Sequence, residues 1–246
     1  MQHNMKSVDK IIIVQPALAT YREMFFERLY SHFQSKLSVY ASSMDELLSI
    51  ENKDIKYSWL TKLKKMKQVV PGLDWQPNVL SIKLRRGNIL VLSGQPRTIT
   101  NSILFFKAKL SGVKVIWWGH HMSSTSKAWR ARIRFLLMSF MDACLFYTDK
   151  EAERFKKQCP SYNGKIWALN NGIEIKEIVG LRNDYDHRYR SKDLLFIGRL
   201  TKKSKIDLLF KAMYLDHNSS YKLDIIGDGD LIHELKSRAR YLKIDN

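Results

Sequence analysis

Short apolar runs alternate with helix-length amphipathic stretches along this chain, and that alternation limits its fold more than any other feature. The runs Ile11–Val14, Leu37–Tyr40, Ile89–Leu92, Val113–Trp118, Ala143–Phe146 and Ile166–Leu169 are too short for helices and rich in β-branched and aromatic residues, which predicts strands. Helices are predicted at Tyr21–Phe33, Thr98–Leu110, Lys127–Met141 and Lys150–Lys157. The first of them carries Phe25, Phe26, Leu29, Tyr30 and Phe33 on one broad face. Ile50–Arg86 has no clear period, and its Pro71-Gly72 and Gln76-Pro77 pairs predict turns. Strand–helix alternation builds a parallel sheet with helices on both faces, because parallel neighbours need a crossover long enough to hold a helix. Ligands of such sheets gather at the carboxyl ends of the strands, so the residues just after each strand carry the chemistry.

Between Glu174 and Lys192 the sequence turns polar and charged, as a linker would. A second series follows: strand Leu194–Ile197, helix Asp207–Tyr214, strand Leu223–Ile226, helix Leu231–Leu242. The expected organisation is a first Rossmann-like domain over 1–175, a linker over 176–192 and a second α/β domain over 193–246. The roughly 55 residues of the last segment are about half of a typical ~100-residue domain, so only the first part of a second Rossmann-like domain is expected there.

Charge narrows the partners. The chain has 246 residues, 42 of them Lys or Arg against 24 Asp or Glu, for a formal net charge of +18. From Trp75 to Met141 there is no acidic residue but eleven basic ones, beginning at Lys83 and ending at Arg134. Ordinary surfaces mix both signs, so this window predicts a face turned to something anionic. On the predicted helix Lys127–Met141, residues Lys127, Arg130 and Arg134 form one stripe, with Trp129, Ile133, Leu136, Leu137 and Phe140 on much of the rest. That pattern suits an anionic membrane surface as well as a core helix with a solvated edge. Nucleic acid is not the expected partner, since no helix-turn-helix, zinc or RNA-binding aromatic signature is present. Cys144 and Cys159 make no disulfide framework. The apolar run Ile11–Val14 is shorter than the ~7–15 residues of a signal peptide core, and no run reaches the ~18 of a membrane span. A cytoplasmic chain, peripheral on the membrane's inner face, is expected.

The sharpest motif is Leu194-Leu195-Phe196-Ile197-Gly198-Arg199-Leu200, followed by Lys202, Lys203 and Lys205 and then by Ile206-Asp207-Leu208-Leu209. A glycine ending a strand lets backbone approach a ligand, and the arginine after it has the fork to hold phosphate oxygens. Lysines before a helix start add charge at the positive end of its dipole, so together these residues suit a diphosphate. Tyr221-Lys222-Leu223-Asp224-Ile225-Ile226-Gly227-Asp228-Gly229 and a helix come next. This order of motifs resembles the opening of the donor domain of family-4 retaining glycosyltransferases, which have the GT-B fold. Asn170-Asn171-Gly172-Ile173-Glu174 is similar to the Asn-Gly-Ile-Asp segment that precedes the interdomain crossing in that family.

The resemblance implies transfer of a sugar from a nucleoside diphosphate sugar to a glycan or lipid-linked acceptor, with retention. It gives Gly198 and Arg199 the diphosphate, with Lys205 as first choice and Lys203 as second for the accompanying lysine. The family's Lys-Gly pair stands here as Ser204-Lys205. His120, after strand Val113–Trp118, takes the place of the family's cleft histidine, where an imidazole can donate a hydrogen bond as charge shifts. His121, Asn171 and Gly172 are further cleft candidates. The loop from Gln15 to Arg22 lacks the family's frequent glycine pair and looks like the Pro…Tyr-Arg version found in enzymes that build bacterial surface polysaccharides. Arg22 there faces acceptor or phosphate, or is a surface residue at a helix start. No cofactor or metal is expected beyond the donor nucleotide sugar. The family's glutamate-bearing second half of the donor domain is absent from the sequence, which predicts weak donor binding and little turnover by the chain alone. A split or inactive subunit completed by a second chain, a basic nucleic-acid binder and an epimerase are the rival readings.

Overall fold

The structure, a computed structural model, describes residues 8–43, 57–122, 128–170, 172, 175–184, 193–215 and 221–244. The chain divides into two compact units, 1–176 and 177–246.

The first unit is built on a seven-stranded sheet. Its strands are β1 (Lys10–Leu18), β2 (Leu37–Ser43), β3 (Leu60–Lys62), β6 (Asn88–Ser93), β7 (Lys114–Trp118), β8 (Ala143–Phe146) and β9 (Lys165–Ala168). They lie in the order β3-β2-β1-β6-β7-β8-β9, all parallel. The chain runs outward from β1 to β3, returns beside β1 as β6, and then runs outward the other way. The carboxyl ends of β1 and β6 therefore flank the crevice where such sheets hold ligands. Strands β4 (Lys67–Val70) and β5 (Leu73–Trp75) form a separate antiparallel pair.

Alternation along each strand sorts the core into two layers. Ile12, Val14, Leu90, Leu92, Val115, Trp117, Cys144 and Phe146 face one side, covered by α2 (Ile99–Leu110), α3 (Ala128–Ser139) and α4 (Asp149–Gln158). Ile13, Val39, Val91 and Trp118 face the other, where α1 (Glu23–Phe33) packs Phe26. Helices thus cover both faces, as the alternation predicts. Two carboxylates of α1 pin the approach to β3: Tyr57 donates to Glu23 at 2.7 Å and the Trp59 indole to Glu27 at 2.8 Å, the two rings stacked 4.6 Å apart. Burial and the Glu23 bond push the Tyr57 phenol up to about 12. At the start of β8, Asp142 accepts from the Val115 amide at 2.8 Å, Lys109 at 3.0 Å and Lys114 at 3.1 Å. Burial works against the Asp142 charge, but these donors win and hold its carboxyl below the usual range.

Several elements differ from expectation. β1 runs on through Gln15 and Pro16 to Leu18, because its pairing with β2 skips a register between Val14 and Ala17, where proline has no N–H to offer. The stretch expected as linker carries helix α5 (Lys176–Asp184) in its first half. The unclear region yields β3, β4, β5 and a 3-10 turn at Val79–Ser81.

The second unit pairs β10 (Leu194–Ile197) with β11 (Leu223–Ile226) in parallel, in register from Leu194 opposite Leu223. Helices α6 (Ile206–Leu215) and α7 (Ile232–Tyr241) close one face around Leu200, Ile206, Phe210 and Leu235. The other face leaves Leu195, Ile197 and Ile226 exposed.

Candidate functional site

Two close glycine contacts shape the strand exits. A Cβ on Gly119, after β7, would lie 2.7 Å from the Gly94 Cα after β6. Only glycine lets these exits touch, and the chain turns at once into His120. A Cβ on Gly227, after β11, would run into the Gly198 carbonyl after β10, and one on Gly229 would lie 2.5 Å from the Leu200 oxygen. Gly198 N and Leu200 N donate across to Ile226 O and Asp228 O at 3.0 and 2.8 Å.

In the first unit, His120 stands exposed at the end of β7. Its Nδ1 lies 2.9 Å from Glu151 Oε1, and its ring packs 4.4 Å from that of Tyr147. The Glu151 side chain also accepts from the His121 amide at 3.3 Å and from Thr148 Oγ1 at 3.3 Å. Arg134 donates to the His120 carbonyl at 3.2 Å. An ionised carboxylate only accepts, so the proton sits on Nδ1, and Nε2 is left for a reactant. An imidazole held in this way offers Nε2 as an acceptor when neutral and donates from it only when protonated.

Arg22 comes to the same place from the end of β1. Its guanidinium carbon lies 5.1 Å from the Trp118 ring, 5.3 Å from Tyr147 and 5.4 Å from Tyr21. Among the described residues no acidic partner is seen for it. Arg22 and His120 therefore share Tyr147 as a common wall, a juxtaposition of a fixed positive charge and an oriented imidazole. Between β1 and β6, at the reversal of strand order, Gln15, Gln76, Ser93, Thr98 and Asn101 are buried together, and Gln15 Nε2 and Asn101 Oδ1 have no partner.

His121 turns the other way. It is 1% exposed, with its ring edge-on to Phe146 at 6.0 Å and Phe155 at 5.9 Å, so it belongs to the core rather than to a cleft. Burial lowers its pKa below the ordinary 6.5, partly opposed by Gln158 and Glu151. The unfolded chain then binds more protons than the folded one between the two values. Stability from this group is full above about pH 6.5 and falls as the pH drops toward the folded value. Melts at about pH 7.5 and about pH 5.5 should show a loss for the natural chain that His121→Phe removes. An equal loss in both would disprove this assignment.

In the second unit, Arg199 follows Gly198 and is exposed. The 3-10 turn Lys202–Ser204 is closed by a Thr201–Ser204 capping box and places Lys202 and Lys203 at the surface. Lys205 has φ 52° and ψ 35°, the left-handed region that glycine fills most readily. It thus holds, with a side chain attached, the conformation a Lys-Gly pair would give to glycine. Helix α6 starts at the next residue. Gly172 is exposed, and a methyl group added there would meet nothing within 4 Å. Asn171 lies outside the described residues.

Glu151 and Tyr147 belong to no motif that marks them as site residues in the sequence. Thr148-x-x-Glu151 is legible as a capping box, and Thr148 Oγ1 does accept from the Glu151 amide at 3.2 Å. The turn of its carboxylate to His120 is tertiary. Among the described residues, no group of three or more His, Cys, Asp or Glu side chains could hold a metal ion, and no helix is long and apolar enough to cross a membrane.

No protein-family model matches the chain, and no curated protein matches it. Among solved structures it is similar to a point mutant of TarM from S. aureus, in complex with fondaparinux, α-GlcNAc-glycerol and UDP, at 12% identity and a TM-score of 0.47. The match covers 72% of this chain and 37% of that one, so the chain spans little more than a third of that protein's length.

Proposed function

We propose that this protein is a glycosyltransferase that moves a sugar from a nucleoside diphosphate sugar to a glycan or lipid-linked acceptor, with retention, in bacterial polysaccharide synthesis. The observation that carries the reading is the exit of β10. There Gly198 and Gly227 bring two backbones together, Arg199 stands exposed beside them, and Lys203 and Lys205 precede the start of α6. Such an exit suits a diphosphate: Arg199 forks its oxygens, the lysines offset its charge, and the helix start adds its dipole. The same positive groups would stabilise the nucleotide as it leaves with the charge of the broken glycosidic bond. His120, oriented by Glu151, would meet a hydroxyl of sugar or acceptor, and Arg22 an acceptor phosphate. Retention and the polysaccharide setting rest on the family resemblance, as does a cytoplasmic location at the membrane.

Titration of the chain with UDP and with pyrophosphate, followed by ³¹P line broadening, tests the grip. Arg199→Ala should weaken binding by roughly tenfold to a hundredfold, the effect of losing hydrogen bonds to a charged group. Lys205→Ala should have a smaller effect. Absence of binding, or equal binding by Arg199→Ala, would remove the basis for the reading.

A further inference from the structure

Positive charge is used differently in the structure than its run along the sequence predicts. On α3, expected to turn a basic stripe outward, Arg134 is half-buried and reaches back to the His120 carbonyl, while Lys127 and the side chains of Trp129 and Arg130 lie outside the described residues. At the foot of the sheet, Lys109 and Lys114 are both spent on the Asp142 carboxylate, at 3.0 and 3.1 Å. A groove of about 760 Å³ opens there, at the amino ends of β6 to β9, a size that suits a small-molecule site. The exit that carries His120 is a strand's length away, ~13 Å over the four steps from Lys114 to Trp118. Register makes the apolar wall of the groove. Lys165, Ala143 and Ile116 are paired across β9, β8 and β7, and Trp167 is paired with Leu145 and through it with Trp118. Paired positions share a face, so Trp167 lies on the side of the sheet that α1 covers. Phe25 and Phe26 of α1 reach as far as Trp118, at 5.7 and 6.1 Å. Trp167, two strands further out on the sheet edge, is left 49% exposed.

The rest of the groove is polar and held in place. Tyr162 donates to the Met141 carbonyl at 3.1 Å and sets its ring edge-on to Phe155 at 5.1 Å. A Cβ on Gly164 would run into the Tyr162 hydroxyl and lie 2.8 Å from the Asp142 carbonyl, so only glycine lets this turn close against the start of β8. The turn sets Asn163 at the rim, with Ser139, Ser161 and Asp142 beside it, and delivers Lys165, whose ammonium lies 5.8 Å from the Trp167 ring centre. An exposed indole ringed by amide, hydroxyl, carboxylate and ammonium groups matches a pyranose. The C–H face of the sugar packs on the aromatic ring, and its hydroxyls, each both donor and acceptor, meet the rim. Charge decides against other occupants. With Asp142 cancelled, Lys165 is the one lining charge without an opposite partner among the described residues, too little for a polyanion. An apolar helix or a second copy of the chain would bury the Asn163 amide and the Asp142 carboxylate away from water, at a cost that sugar hydroxyls avoid. We infer that this groove binds a pyranose-containing glycan, with Trp167 as the stacking platform and Asn163 and Lys165 among the hydrogen-bonding groups. The groove belongs to the first unit alone, so glycan binding here stands whether or not the Arg199 exit holds a diphosphate.

Titration of the purified chain with cellotetraose, maltotetraose and chitotetraose, followed in ¹H–¹⁵N spectra, tests the inference. The Trp167 indole signal, assigned by its loss in Trp167→Phe, should shift with at least one of these sugars, while that of Trp118, beside Arg22, stays in place. Affinity for that sugar is then read from the Gly164 and Lys165 amides. Trp167→Ala should weaken it by roughly tenfold, the effect of losing a ring and the area it covers. Trp167→Phe keeps a ring and should stay within roughly threefold of the natural chain. Asn163→Ala, at an exposed position, should weaken binding by roughly fivefold without moving the melting curve. No shift at Trp167 with any of the three sugars, or an affinity indifferent to Trp167→Ala and Asn163→Ala, would overturn the inference. A shift at Trp118 in place of Trp167 would put the sugar at the His120 exit, which overturns the inference and leaves the proposed transfer standing. Tighter binding of UMP or polyphosphate than of sugar at Trp167 would also overturn it, since the groove would then be an anion site. So would a concentration-dependent dimer that Trp167→Ala abolishes, since the groove would then be an interface between copies.

Discussion

Gly227→Ala is expected to destabilise the second unit by about 3 kcal/mol, the upper range for forcing an atom into a filled space. The added methyl would have to occupy the position of the Gly198 carbonyl, and the obstacle is backbone, which cannot swing aside as a side chain can. Relief requires β10 and β11 to separate at their carboxyl ends, where Gly198 N donates to Ile226 O at 3.0 Å. Arg199 is the next residue, so diphosphate binding should fall with stability. Amide hydrogen exchange separates this from a general loss: Phe196, Ile197 and Gly198 should exchange faster while the strands of the first unit keep their protection. Gly180→Ala is the matched control. It sits in α5 with nothing within 4 Å, and alanine there should gain about 0.5–1 kcal/mol of helix stability. A Gly227→Ala chain with unchanged exchange at β10 would show that the exits do not meet as described.

The elements that read most clearly from sequence are those where a short apolar run is bounded by charge on one side and glycine or a turn on the other. Ala143–Phe146, Leu194–Ile197 and Leu223–Ile226 end where the pattern ends. What escaped was decided by distant partners. The three-residue strand β3 has no periodicity of its own and is placed by Val39 and by the indole of Trp59 on Glu27. Pro16 reads as a strand breaker, yet a register skip lets β1 pass through it. Helix α5 is nine residues of polar and apolar mixture around a glycine, so composition hid it.

The candidate residues of the two units divide along the same line. Gly198, Arg199 and the lysines follow one another in sequence, and their meeting needs only a strand, a turn and a helix start. Arg22, His120, Tyr147 and Glu151 come from the ends of β1, β7 and β8 and the start of α4, and only the parallel order of strands brings them together. His121 shows the limit from the other side. Adjacent histidines in a loop look alike in sequence, but successive side chains point opposite ways, so one meets solvent and the other meets Phe146 and Phe155. In α3, Arg134 turns inward and donates to the His120 carbonyl, while Arg132, Ile133 and Leu136 stay at the surface.

If the proposed transfer is carried out by the chain together with the missing half of its donor domain, His120→Ala is expected to lower its rate by about 10²–10⁴, the range for a positioned acid–base or hydrogen-bonding group. In the proposed reaction the atom that would meet the reactant is Nε2, since Glu151 occupies Nδ1 at 2.9 Å. Glu151 touches no reactant in this arrangement and acts as a positioning residue, so its variants should differ from those of His120 in kind. Glu151→Gln keeps an oxygen to accept from Nδ1 but can also present its amide N–H₂, which allows the ring to adopt the other tautomer. Turnover should fall by roughly tenfold, with KM for the nucleotide sugar unchanged and the pH dependence of kcat displaced. Glu151→Leu removes the partner altogether and should approach His120→Ala. A purely structural role for Glu151 would give a different picture: a lower melting temperature, with kcat of the folded fraction and its pH profile as in the natural protein. Full activity of His120→Ala in a protein that transfers sugar would mean that the imidazole at the end of β7 is a bystander, and that the chemistry is carried by the charges around Arg199 alone.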